Sequence, residues 1–98
     1  MVLDIKNLAL RVAQTAADRK ALDIKVLDMR SVSIMTDYFV ICSADSMVHL
    51  QAITRAILDE IKDDELKIKR REGGNDARWV LVDLGDVIVH VFHHAERE

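Results

Sequence analysis

Apolar positions along the chain fall into two helical stripes and a set of short alternating runs. Ile5, Leu8, Val12 and Ala16 recur at spacings of three and four, with Ala9 and Ala13 widening the stripe. That spacing predicts an amphipathic helix. Asp4 stands where an N-cap is needed, and the stripe fades at Asp18-Arg19-Lys20. Leu50, Ile53, Ile57 and Ile61, with Ala56 beside them, predict a second helix, opened by the turn Ala44-Asp45-Ser46 and closed by the charged run at 62–65. Residues 24–29 and 38–42 are rich in β-branched, aliphatic and aromatic side chains and read as strands. Residues 31–37 read as a polar connection between them. Leu66-Lys67-Ile68-Lys69 alternates and predicts a half-buried edge strand, its lysines discouraging pairing with other chains. Glu72-Gly73-Gly74-Asn75-Asp76 is the strongest loop signal. Residues 79–82 and 87–92 are strands joined by a tight turn at Leu84-Gly85-Asp86.

The order α-β-β-α-β-β-β predicts an α/β fold: a two-layer sandwich of a mixed five-stranded sheet and two main helices. In the last two strands one parity gives Val80, Val82, Val87, Val89 and Val91, purely apolar and compact. That face belongs under the helices. The other parity gives Trp79, Leu81 and Asp83, then Ile88, His90 and Phe92. This set is too apolar for plain solvent and too polar for a sealed core, a mixture typical of a partner surface. The competing reading is plain core, closed by a loop or a second copy of the chain.

Composition narrows the classes. Ninety-eight residues make one domain, residues 1–98. Half the residues are hydrophobic and 32% are charged, a globular balance. Fourteen Lys+Arg against 17 Asp+Glu leave a net charge of -3, which argues against a general nucleic-acid coat. The single Cys42 allows no internal disulfide framework. The apolar runs are far shorter than the ~20 residues that span a bilayer, and residues 1–6 lack a secretory apolar stretch. The expected location is cytoplasmic, away from membranes.

Candidate chemistry is thin. His90, His93 and His94 lie close, yet His90 and His93 point to opposite faces of a continuing strand, with no carboxylate at ligand spacing, so no metal is expected. His49, in the first turn of the second helix, is expected to pack or bond locally. Cys42 in an apolar strand behaves as a small hydrophobe. Asp37, Asp83 and Asp86 at strand ends could hold magnesium or simply form turns. No phosphate-cradling glycine loop is present, and no cofactor is expected. Lys67, Lys69, Arg70 and Arg71 form a basic stretch, with RNA contact or a solvated edge as its two readings.

Three segments then stand together. They are Ser33-Ile34-Met35-Thr36-Asp37-Tyr38-Phe39-Val40-Ile41, Glu72-Gly73, and the run Trp79-Val80-Leu81-Val82-Asp83-Leu84-Gly85-Asp86-Val87-Ile88-Val89-His90-Val91-Phe92. With Leu27-Asp28 and the Ser46/His49 pair, the sequence closely resembles the ribosomal silencing factor family, also called Iojap. The resemblance implies a fold related to nucleotidyltransferases, in a catalytically silent form. Ala44-Asp45-Ser46 occupies the approximate place of their Gly-Ser helix start, without the glycine. It implies a translational repressor that binds a large-subunit ribosomal protein, the fourteenth in the standard naming, and stops the subunits from joining. Family members usually continue with a short aromatic-containing tail; these residues stop at Ala95-Glu96-Arg97-Glu98. The alternatives are a nucleotidyltransferase-like enzyme and a generic RNA-binding domain.

On that resemblance, eight residues are expected to meet a partner. Trp79 is the anchor, with Leu81 and Phe92 packed beside it. Asp37, Glu72 and Asp83 face basic groups, while Tyr38 and His90 offer hydrogen bonds. A core ring is the other reading of Tyr38. Five strands at ~4.8 Å spacing and ~18 Å length give a face of about 430 Å², against about 800 Å² per partner in a stable interface. The 72–77 loop and the 83–86 turn are therefore expected to extend the footprint. The partner is the large ribosomal subunit, met through a basic protein with any RNA contact secondary. A homodimer of the free chain would use the same face.

Overall fold

In the computed structural model the described residues are 4–62, 68–74 and 76–96. Helix α1 is Ile5–Asp18, followed by strands β1 Leu22–Asp28 and β2 Tyr38–Ala44, helix α2 Met47–Ile61, and strands β3 Arg70–Glu72, β4 Trp79–Asp83 and β5 Val87–His93. One 3-10 turn, His94–Glu96, follows. The five strands form one sheet in the order β1-β2-β5-β4-β3. Only β2 and β5 pair in parallel; the other neighbours are antiparallel. The parallel pair needs a crossover, and the chain supplies it through α2.

Both helices begin as the sequence predicts. The Asp4 carboxylate accepts from the Asn7 amide at 3.2 Å, and the Ser46 hydroxyl accepts from the His49 amide at 3.0 Å. Each satisfies an amide that the first turn leaves without a helical partner. Leu8, Ala9, Val12 and Ala16 of α1 and Leu50, Ile53, Thr54, Ile57 and Ile61 of α2 are buried. They lie over Val40, Cys42, Val80, Val82, Val87, Val89 and Val91, which form the inner layer of the core. The small residues Ala9 and Ala16, fully buried, let α1 approach the sheet closely.

Several boundaries move. β1 begins two residues early, at Leu22, with a bulge before Lys25 and Asp23 at φ 47. The described edge strand is Arg70–Glu72; of the expected 66–69 strand, Ile68 and Lys69 precede it, and Leu66 and Lys67 lie outside the described residues. Lys69 still joins the sheet, its amide donating to the Asp83 carbonyl at 2.8 Å. The connection at 31–37 is not polar on its surface: Val32, Ile34 and Met35 are 74, 102 and 80% exposed. The β4–β5 turn is as expected. Gly85 takes φ +90, and Asp83 Oδ1 accepts the Gly85 amide at 2.8 Å.

Candidate functional site: an aromatic sheet face

Strand register decides which side chains share the face turned away from the helices. Trp79 on β4 stands opposite Phe92 on β5, Leu81 opposite His90, and Asp83 opposite Ile88. Phe39 on β2 stands opposite Ile88 on one side and Leu27 of β1 on the other. A strip of rings therefore crosses three strands. Trp79 and Phe92 stack at 5.5 Å with their planes 6° apart, and His90 lies 5.9 Å from Trp79 and 6.1 Å from Phe92, also stacked. Phe39 meets His90 edge-on at 5.1 Å. Such offset and T-shaped pairs are the favoured arrangements of aromatic rings. The indole is 49% exposed. It is not sealed into the protomer.

His90 is the polar member of the strip. The Trp79 indole N–H donates to His90 Nδ1 at 3.2 Å. An indole nitrogen can only donate, so this bond assigns the neutral tautomer with its proton on Nε2. That Nε2 is buried and has no partner among the described residues. Burial lowers the imidazole pKa below 6.5. The folded state thus favours the neutral ring, and the unfolded chain takes up a proton first as pH falls through 6.5. Stability from His90 is full above that pH and is lost as pH drops through the folded value. His90→Phe keeps a ring in the stack and cannot titrate. Its melting temperature is expected to fall less than that of the natural chain on acidification from about pH 7.5 to 5.5. Equal slopes would remove His90 as the source.

The other expected contacts divide. Phe92 and Leu81 join Trp79 on the face, Leu81 at 8% exposure beneath its neighbours. Glu72 stands opposite Leu81 and pairs with Arg70 at 3.0 Å. Asp83 stands opposite Arg70, but one of its oxygens is engaged by the Gly85 amide. Asp37 lies just before β2, half-buried, its amide donating to the Asp86 carbonyl at 2.9 Å. Tyr38 goes to the other side: it is 6% exposed, packed in the core beneath the helices. The Arg30 guanidinium sits 5.4 Å from its ring. Arg30 is held by Asp28, whose carboxyl it lowers to about 2.

Sequence reading missed Phe39 and Leu27. The signal was the parity of β2: Val40, Cys42 and Ala44 are small like the valines under the helices, so Tyr38, on the same parity, turns inward and Phe39 outward. His49 lies outside the face. Its Nδ1 accepts from the Asp45 amide at 3.0 Å and its Nε2 meets the Arg19 carbonyl at 2.8 Å, tying the end of α1 to the start of α2. Arg71 stands opposite Val82 and so lies on the helix side. The basic stretch is split between the two faces rather than gathered on one.

Gly73 places the start of β4. Its φ is +98, and a Cβ there would lie 2.6 Å from the Trp79 carbonyl oxygen and 3.1 Å from Val80 Cα. The loop after β3 can pass against Trp79 only because residue 73 has no side chain. This gives a physical reason for the Glu72-Gly73 pair in the sequence.

Fold and face define a class first: a small two-layer α/β protein that shields one side of a mixed sheet and presents aromatic rings on the other. A family profile described as RsfS, ribosomal silencing factor during starvation, matches residues 2–98. A ribosomal silencing factor RsfS of Bacillus subtilis is 49% identical over 89 residues, covering 90% of this chain and 75% of that protein. The chloroplastic protein Iojap of Zea mays is 32% identical over 91 residues, covering 93% of this chain and 40% of the plant protein. Two crystal structures share the architecture. One, from Bacillus halodurans, has a TM-score of 0.81 at 43% identity, covering 90% of this chain and 83% of that one. The other, from Chromobacterium violaceum, has a TM-score of 0.87 at 28% identity, covering 95% and 78%. The chain belongs to the ribosomal silencing factor family, a family of regulators of translation. Among the described residues no helix is long and apolar enough to cross a membrane.

Proposed function

We propose that this protein represses translation by docking its aromatic sheet face on a basic protein of the large ribosomal subunit, the fourteenth in the standard naming, and so keeps the small subunit from joining. The observation that carries the reading is the half-exposed Trp79, stacked on Phe92 and bonded to His90 on a sheet face that the helices leave bare. Large, ordered aromatic side chains are the usual anchors of protein interfaces. Glu72 and Asp83 border the strip. Carboxylates there would steer a basic partner and set its orientation more than they would add affinity.

Blocking needs volume and affinity, not chemistry. The body measures 37 × 29 × 22 Å, while subunit contacts require atoms within a few ångströms. A folded object of this size on the contact surface excludes the other subunit as long as it stays bound. On this reading the protein acts in the cytoplasm, as an inert spacer without cofactor or metal, and any RNA contact is secondary. A second copy on the same face would compete with the ribosome, because both partners need Trp79.

The test is co-sedimentation with separated subunits. The chain is expected to travel with large subunits and not small ones, and to hold added small subunits apart in proportion to its occupancy. Binding that survives removal of the ribosomal protein, and falls steeply with salt on naked RNA, would replace this reading with RNA binding.

A further inference from the structure

We propose that the loop Val32-Ser33-Ile34-Met35 is a second contact point of the same docking surface, inserting its apolar side chains into a basic-rimmed recess on the ribosomal protein that the sheet face meets. This rests on the docking reading above and adds to it the part of the footprint that the sheet does not supply.

Three observations carry it. The first is exposure. Val32, Ile34 and Met35 are 74, 102 and 80% exposed within four residues, a concentration that marks interaction sites on folded proteins. The second is order. The Met29 amide donates to the Asp37 carbonyl at 2.8 Å, and the Val32 and Ser33 amides donate to the Met29 carbonyl at 3.1 and 2.8 Å. The Ser33 hydroxyl accepts from the Met35 and Thr36 amides at 3.1 and 3.3 Å, and the Thr36 hydroxyl, buried, donates to the Tyr38 carbonyl at 3.4 Å. The Asp37 and Tyr38 amides both donate to the Asp86 carbonyl. The backbone turns inward for its hydrogen bonds while the apolar side chains point to solvent. A loop already shaped in this way loses little entropy on docking.

The third observation is area and charge. The sheet face offers about 430 Å² against the roughly 800 Å² per partner of a stable interface. Burying three aliphatic side chains of this kind removes about 60–120 Å² each, or roughly 200–350 Å² together. The loop therefore supplies more than half of the shortfall of about 370 Å². The loop is continuous with the strip, since it leaves β1 one residue beyond the Leu27–Phe39 rung and re-enters at β2. The backbones of Asp37 and Asp86 join at its base, while Arg30, the cation two residues before it, is tied to Asp28 at 2.6 Å. An apolar tip with aspartates at its base fits an apolar recess bordered by lysine or arginine.

The experiment compares the full chain, the double variant Ile34→Ser/Met35→Ser and Trp79→Ala for affinity to isolated large subunits, with melting temperature as the folding control. The loop variant is expected to melt like the natural chain and to bind at least tenfold more weakly. Ile34→Val/Met35→Leu is expected to bind nearly as the natural chain does. If Trp79→Ala loses affinity and the serine variant does not, the loop inference falls and the docking reading stands. If neither loses affinity, both fall. If the natural chain partitions into anionic vesicles, and the serine variant abolishes that while keeping subunit binding, the loop serves a lipid surface and the inference is overturned.

Discussion

Replacing Trp79 with alanine is expected to weaken binding to large subunits about thirtyfold or more, equivalent to ~2 kcal/mol. The indole is large and flat, and it is held in place before any partner arrives. Phe92 fixes its plane at 5.5 Å and the bond to His90 Nδ1 fixes its rotation. Binding therefore gains the burial of its exposed half at small entropic cost. Stability should fall by roughly 2–4 kcal/mol, since about half of the indole is already buried and the aromatic pair adds ~0.5–1.5 kcal/mol beyond that area. That corresponds to a drop of about 10–25 °C in melting temperature. Trp79→Phe keeps the stack and loses the N–H donor, so its affinity should lie between the two. Pelleting with isolated large subunits reads all three. Full affinity in a folded Trp79→Ala chain would show that the anchor lies elsewhere.

The second large effect is expected at Gly73, on stability. Alanine there would carry a Cβ into the Trp79 carbonyl oxygen, 2.6 Å away, with Val80 Cα at 3.1 Å and Ala77 Cβ at 3.2 Å. Two of those three contacts are backbone or the start of a paired strand, which cannot move without disturbing β4. The residue would also hold φ +98, a conformation L-residues adopt at a cost of about 1–2 kcal/mol. Together these predict a loss of roughly 2–3 kcal/mol, or about 10–20 °C in melting temperature for a domain of this size. Gly74→Ala is the control. A Cβ at Gly74 meets nothing within 4 Å, so the change should be neutral or slightly stabilising. Equal melting temperatures for the two variants would refute the role assigned to Gly73. The same variant should lose ribosome affinity, because the loop of Gly73 sets where Trp79 enters the sheet.

Much of this architecture was legible in order and period. The spacing of Leu8, Val12, Leu50, Ile53 and Ile57 gave both helices and their buried faces, and Asp4 and Ser46 gave their starts, because a helix is decided by neighbours within one turn. The alternation of Val80, Val82, Val87, Val89 and Val91 gave the inner face of the last hairpin, and with it the outer set that contains Trp79, His90 and Phe92. The compact turn at Leu84-Gly85-Asp86 fixed their pairing, since a short hairpin leaves few registers open.

What the sequence could not decide was everything that depends on distant strands meeting. Tyr38 and Phe39 are adjacent and both aromatic; strand parity separates their faces, but only the parallel register of β2 on β5 brings Phe39 beside Ile88 and His90 on the strip. The edge strand at Arg70–Glu72 is set by its pairing with Asp83, Val82 and Leu81, which its own residues do not announce. The exposure of Val32, Ile34 and Met35 runs against composition: side chains normally buried are held outside because the loop's amides bond inward to Asp37, Met29 and Asp86. Local periodicity records which side of an element is apolar. Which apolar side remains bare depends on how many layers the chain has to cover it, and two helices cover only one side of this sheet.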